Sequence, residues 1–102
     1  MRGLVVLGST GSIGENTLDV ATRHPDRFRI VALAARANDK ILAEQCLRCR
    51  PDYAAMLDRT AAARLAERLA TQHCATRVLA GPEALVTVAT LPEAELVMAA
   101  IV

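Results

Sequence analysis

Aromatic residues are almost absent from this sequence. The 102 residues include one Phe, one Tyr and no Trp. Proteins that bind single-stranded nucleic acid stack the bases on several aromatic rings, and Phe28 and Tyr53 alone do not form such a platform. Basic residues are not in excess either, since 12 Lys and Arg are balanced by 11 Asp and Glu for a net charge of +1. We therefore expect neither nucleic acid nor a membrane surface as a partner.

Long apolar runs are also lacking. No stretch approaches the ~20 apolar residues that span a bilayer. The opening segment MRGLVVLG is interrupted by glycine too early for a signal peptide. Cysteine is scarce, and three cysteines without a secretory signal are typical of reduced thiols. We therefore expect a cytoplasmic protein, and its length suits a single domain.

Hydrophobic periodicity predicts alternating strands and helices. A continuous apolar stretch from Ile30 indicates a strand that is buried on both faces, as in a parallel sheet. In the first helix, Ile13, Thr17, Val20 and Ala21 are expected on the buried face. The predicted strands are 4–7, 28–34, 52–57, 77–80 and 96–102. The predicted helices are 12–24, 39–49 with Asp39 as cap, 60–73 and 82–90. This order predicts an α/β fold with a doubly wound, Rossmann-like parallel sheet and helices on both faces.

Three glycines follow the first predicted strand in the stretch VVLGSTGSIG, residues 5–14. Gly8 permits a sharp turn, Gly11 lets a diphosphate approach the backbone, and Gly14 lets the helix pack closely. The free N–H groups of the first helical turn then face the anion. The hydroxyls of Ser9, Thr10 and Ser12 are further donors. The motif between a strand and a helix predicts nucleotide binding, and an ordinary structural turn is the alternative.

An acid is missing where NAD-binding domains usually have one, about 20 residues after the glycine loop. That position is Ala34, and no acid follows until Asp39. The guanidinium of Arg36 would instead attract a 2′-phosphate, and Asn38 can hydrogen-bond the same group or the adenine. This favours NADP(H) over NAD(H). The alternative is that Arg36 is an ordinary solvated arginine.

Three stretches carry a resemblance to a known family: LGSTGSIGENTLDV, HPDRFRIVALAARAN and the final VMAAIV. They resemble the N-terminal part of the 1-deoxy-D-xylulose 5-phosphate reductoisomerase family. The resemblance implies an enzyme of isoprenoid precursor synthesis, in the methylerythritol phosphate pathway. Such an enzyme rearranges a phosphorylated ketose and reduces it with NADPH to 2-C-methyl-D-erythritol 4-phosphate. It also implies a divalent metal, Mg or Mn, and a homodimer for the full-length protein.

The resemblance also implies which residues contact the dinucleotide. Some family members have Gly and then Lys where this chain has Arg36 and then Ala37, so the basic group is displaced by one position. Residues 98–101 would lie beside the cofactor without a named contact. The implied cofactor-binding residues are Thr10, Gly11, Ser12, Ile13, Arg36, Ala37 and Asn38.

No catalytic or metal-binding residue of the family falls on residues 1–102. The chain ends at Val102 within a predicted strand, so we expect an incomplete N-terminal fragment that binds nucleotide but catalyses nothing alone. Two alternatives are another NADP-dependent reductase, of the semialdehyde or acyl-phosphate type, and a non-catalytic dinucleotide sensor. Cys46 and Cys49 form a C-x-x-C near a helix end, where we expect buried apolar cysteines rather than a zinc or redox site.

Overall fold

The computed structural model describes residues 1–100, in which five strands alternate with four helices. The strands are β1 (Arg2–Leu7), β2 (Phe28–Ala35), β3 (Tyr53–Met56), β4 (Arg77–Ala80) and β5 (Leu96–Ala99). The helices are α1 (Ser12–Thr22), α2 (Asp39–Cys49), α3 (Arg59–Thr71) and α4 (Pro82–Ala89). No helix in this part of the chain is long and apolar enough to cross a membrane.

All the strands pair in parallel, in the order β4-β3-β2-β1-β5. From β1 to β4 each new strand is added on the same side, and β5 then returns to the other side of β1. Because crossovers in parallel sheets are right-handed, this reversal puts α4 on the face opposite α1, α2 and α3. The predicted doubly wound sheet with helices on both faces is confirmed.

Strand β2 forms the centre of the protein and is buried on both faces, as predicted. Val31, Ala32, Leu33 and Ala34 are all 0% exposed. One apolar cluster lies between the sheet and helices α1 to α3, and the second lies beneath α4. The pairing of β2 with β1 has one irregularity. Leu4 pairs with Ile30 and Val5 with Ala32, so Val31 is an extra residue in β2 and the regular alternation of side chains between the two faces is interrupted there.

The predicted buried face of α1 is wrong in two positions. Gly14, Leu18 and Ala21 form the buried stripe, whereas Ile13 and Val20 are 55% and 54% exposed. Both stripes have helical spacing. The smaller residues face the sheet because a glycine lets the helix come closest there.

Strand β5 is shorter than predicted in the described part of the chain, and residues 101–102 of that prediction lie outside it. Within residues 1–100, β5 pairs only with β1. Val97 and Met98 are 40% and 47% exposed. These exposures are those of an edge strand, which within residues 1–100 has a neighbour on one side only.

Candidate functional site

A cleft of about 320 Å³ opens at the carboxyl ends of β1 and β2. It lies where the order of the strands reverses, between β1 and β5, and ligands of open α/β sheets bind at such a point. Its walls come from the glycine loop (residues 8–14), the end of β2, the segments after β3 and β5, and α4. The lining residues are Gly8, Thr10, Gly11, Ala34, Ala35, Arg36, Leu57, Leu85 and Ala100.

The start of the glycine loop is tied to the end of β2 through the backbone. Gly8 has φ of 82°, a left-handed conformation that glycine adopts without strain. The N–H groups of Gly8 and Ser9 both donate to the carbonyl of Ala34, at 2.7 and 3.0 Å. The turn is therefore fixed against β2 before any ligand is present.

Gly14 fixes the other end of the glycine loop by close packing. A Cβ at this position would lie 2.0 Å from the carbonyl oxygen of Gly8 and 2.7 Å from Cα of Ser9. Both are backbone atoms, which cannot rotate away as a side chain can. Glycine at position 14 is thus a requirement of the fold itself, as the motif predicts.

Gly11 differs from Gly14, because nothing within the chain requires a glycine there. Its φ of −80° and ψ of 168° suit any residue. The nearest atom to an added Cβ is the carbonyl oxygen of Gly8 at an ordinary 3.7 Å. Gly11 also lines the cleft, so its backbone is accessible there.

The first turn of α1 has unused donors. Its first helical hydrogen bond runs from the N–H of Glu15 to the carbonyl of Gly11, at 2.8 Å. Among residues 1–100, the N–H groups of Thr10, Ser12, Ile13 and Gly14 have no acceptor, and no side chain caps the helix. By contrast, Asn38 caps α2 and Asp58 caps α3. An uncapped helix start at a cleft is suited to an anion.

The second part of the site is the Arg36 corner (residues 36–38), directly after β2. Arg36 is exposed, lines the cleft and makes no ion pair within the described residues. Its carbonyl accepts from the N–H of Asp58 at 2.9 Å, which fixes its backbone. The guanidinium is therefore free to meet an anion in the cleft.

Asn38, not Asp39, caps α2, so the predicted cap is off by one residue. The Oδ1 of Asn38 accepts from the N–H of Ile41 at 3.1 Å. This leaves the amide NH₂ of Asn38 as a donor on an exposed side chain.

Asp39 turns instead toward α3, where two arginines hold its carboxylate. Arg68 Nε donates to Oδ2 at 2.8 Å, and Arg64 Nε donates to Oδ1 at 3.2 Å. The hydrogen bond from Arg68, with a further contribution from Arg64, lowers the pKa of Asp39 below its usual value although burial opposes this. The carboxylate therefore stays ionised and is occupied on both oxygens.

The structure brings some of the predicted contact residues together and separates others. Thr10, Gly11 and Arg36 line the cleft. The side chain of Ile13 lines a neighbouring apolar groove with Leu96 and Met98 and does not line the cleft. Ser12 is exposed, and Ala37 packs against the core. Of residues 98–101, Ala100 lines the cleft, Met98 lines the apolar groove, and 101 lies outside the described residues.

One buried polar residue outside the glycine loop, Gln45, supports it. Gln45 of α2 is 3% exposed, and its Nε2 donates to the carbonyl of Ser9 at 2.8 Å. This role of Gln45 was not predicted. A polar residue between the buried apolar positions of α2 is the feature of the sequence that could have indicated it. Ser9 is 0% exposed, so the expectation that its hydroxyl donates to a ligand is wrong.

The prediction of buried cysteines is confirmed for Cys46 but not for Cys49, which is partly exposed. Cys46 is buried, which raises the pKa of its thiol to about 12. Cys49 and Cys74 are half-buried against the same core. Among residues 1–100, no group of three or more His, Cys, Asp or Glu side chains is placed to hold a metal.

Comparison with known proteins gives consistent results. The family model of 1-deoxy-D-xylulose 5-phosphate reductoisomerase matches residues 4–102. The enzyme of that name from Methylococcus capsulatus is 58% identical, over 100% of this chain and 26% of its own length. The corresponding protein from Nitrosomonas europaea is 54% identical over 99% of this chain and 24% of its own.

Among solved structures, the reductoisomerase from Zymomonas mobilis in complex with NADPH superimposes with a TM-score of 0.90 at 40% identity. The match covers 98% of this chain and 26% of that one. A reductoisomerase bound to NADPH, fosmidomycin and magnesium superimposes with a TM-score of 0.93 at 31% identity, over 99% and 24% of the two chains. The chain thus spans about a quarter of the length of the proteins it matches.

Proposed function

This chain belongs to the 1-deoxy-D-xylulose 5-phosphate reductoisomerase family, and we propose that it forms the NADPH-binding part of such an enzyme. The observation that carries this proposal is the uncapped start of α1 at the cleft, in a fold that matches an NADPH complex across 98% of the chain. The family assignment favours neither of the alternatives, a semialdehyde or acyl-phosphate reductase and a dinucleotide sensor.

The glycine loop binds the diphosphate in this proposal. The free N–H groups of Thr10, Ser12 and Ile13 donate to its oxygens, and the positive end of the α1 dipole adds a favourable field. The absence of a side chain on Gly11 allows the diphosphate to reach the backbone. Ile13 thus contributes its amide rather than its side chain.

The Arg36 corner binds the adenosine end. The exposed guanidinium of Arg36 pairs with the 2′-phosphate, and the free NH₂ of Asn38 donates to the same group or to the base. Ala37 holds the spacing between them, with its side chain against the core. NADPH bound in this way supplies a hydride, and the residues named here bind and orient it.

The rest of the proposal concerns the whole protein. We propose that the whole protein rearranges a phosphorylated ketose and reduces it with NADPH, with the aid of a divalent metal. We also propose that it is a cytoplasmic homodimer. A solved relative bound to NADPH, fosmidomycin and magnesium supports the cofactor and the metal in this proposal. Residues 1–102 supply the dinucleotide site of one domain, and we propose that alone they bind NADPH without catalysing its oxidation.

Two measurements test the proposal. The first is calorimetric titration of the chain with NADPH and with NADH, for which we expect tighter binding of NADPH. The second follows NADPH absorbance with 1-deoxy-D-xylulose 5-phosphate and Mg²⁺, for which we expect oxidation by the complete gene product and none by residues 1–102. A chain that binds neither nucleotide refutes the proposed site. A complete gene product that binds NADPH but leaves this substrate unchanged refutes the proposed reaction alone.

A further inference from the structure

The first acid after β2 is Asp39, and two arginines of α3 hold it. In NAD-binding domains of this fold, an acid after the second strand takes the ribose hydroxyls and disfavours a 2′-phosphate. Here Arg64 and Arg68 each donate an Nε–H to one oxygen of Asp39, at 3.2 and 2.8 Å. The Asp39 side chain is only 12% exposed.

We propose that Arg64 and Arg68 set the preference for NADPH by neutralising the charge of Asp39, an inference that rests on the proposed function. Asp39 is the direct chain neighbour of Asn38, and it begins the helix that Asn38 caps. An unpaired carboxylate at this position would add a negative charge next to the residues proposed to bind the 2′-phosphate. The two arginines are therefore specificity-determining positioning residues, and neither of them contacts the cofactor in this account.

Asp58 is the other acid near the corner, and it differs from Asp39 in having no basic partner within the described residues. The Oδ1 of Asp58, beside the Arg36 backbone, accepts from the N–H of Ala61 at 2.9 Å as the cap of α3. Arg36 has no acidic partner within the described residues, so an additional unpaired carboxylate at Asp39 would oppose its attraction for a 2′-phosphate, whereas the charge of Asp58 is the same in all the variants compared below. Unpaired charges a few ångströms apart at a protein surface interact strongly enough to set a selectivity of several-fold, even with screening by salt.

The test is a charge rescue in the complete gene product. Arg64→Met combined with Arg68→Met exposes an uncompensated Asp39. We expect the Kd for NADPH to rise about five- to tenfold and that for NADH to change less than about twofold. Adding Asp39→Asn should restore the Kd for NADPH to within about twofold of wild type. Asp39→Asn alone and Arg64→Lys with Arg68→Lys should both keep the preference.

Arg23→Met is the matched control, since it breaks an exposed ion pair with Asp19 within α1. Equal weakening of NADPH and NADH in the double variant, or no recovery with Asp39→Asn, means that the arginines only support the packing of α2 on α3 and overturns the inference. If the double variant does not unfold cooperatively, Arg68→Met alone carries the test, with about a two- to threefold loss expected for NADPH. Failure of the wild type to bind NADPH refutes the proposed function as well.

Discussion

The glycine loop and the Arg36 corner form one cleft but are constructed differently. The loop depends on backbone geometry: the positive φ of Gly8, the close contact at Gly14 and two N–H groups shared by the carbonyl of Ala34. The corner depends on exposed side chains, those of Arg36 and Asn38, whose neighbours are fixed by residues of α3. We therefore propose that the loop, fixed by its backbone, binds the diphosphate, whereas the exposed side chains of the corner distinguish NADPH from NADH.

This difference predicts separable effects. Changes in the loop should alter folding or all dinucleotide binding. Changes in the corner should alter the ratio of NADPH to NADH affinity and leave folding intact. Four substitutions test that separation, from the largest expected effect to the smallest.

Gly14→Ala should have the largest effect, because the new Cβ meets the Gly8 carbonyl at 2.0 Å. Overpacking against backbone costs about 3 kcal/mol or more, which lowers Tm by more than about 10 °C in a domain of this size. Thermal unfolding followed by circular dichroism measures it. A Tm within a few degrees of wild type would mean that the contact at Gly14 does not constrain the loop.

Gly11→Val should abolish dinucleotide binding while the protein still folds. The backbone at Gly11 accepts a side chain, but the added methyl groups occupy the approach to the free amides. We expect the Kd for NADPH and for NADH to rise at least about a hundredfold, a loss of about 2.7 kcal/mol. Gly11→Ala is the smaller matched change. Unchanged binding in Gly11→Val would show that the diphosphate does not lie on the loop.

Gln45→Leu should weaken the support of the loop. The carbonyl of Ser9 loses its buried donor at 2.8 Å, which costs about 1–3 kcal/mol of stability. Urea denaturation gives the free energy of unfolding. The exposed neighbour Glu44→Gln is the control, and equal stability of the two variants would contradict a role for Gln45.

Arg36→Ala should change selectivity with the least effect on the fold. Loss of a charge-assisted bond to the 2′-phosphate raises the Kd for NADPH about tenfold, and that for NADH less than about twofold. Calorimetric titration measures both. Arg2→Ala removes the same charge from the opposite end of β1. Equal losses for the two nucleotides, or an equal effect of Arg2→Ala, would show that Arg36 does not distinguish NADPH from NADH.

Much of the fold and the loop was predictable from sequence because their signals are local. The alternation of apolar runs and helical stretches gave the element order, and the three glycines after β1 gave the turn and the helix start. The buried face of α1 was predicted correctly at Ala21 but not at Ile13 and Val20, since residues 13, 17 and 20 have the same spacing as residues 14, 18 and 21. Hydrophobicity favours the first set, and the close approach allowed by Gly14 selects the second.

The contacts that hold Asp39, beside the Arg36 corner, could not be predicted, because the residues that make them are distant in the sequence. Asn38 and Asp39 are both good caps, and no local feature shows which one α2 uses. Arg64 and Arg68 look like ordinary surface residues of α3 until the fold brings them to Asp39. In the same way, Gln45 shows its role only when α2 packs beside the Ser9 carbonyl.

The central claim is that bare backbone amides at the start of α1 hold a diphosphate. A crystal structure of the protein with NADPH tests it most directly. We expect diphosphate oxygens within about 3.2 Å of the amide nitrogens of Ser12 and Ile13, with the 2′-phosphate at Arg36. NADPH bound elsewhere, with residues 10–13 free of contact, would contradict the account.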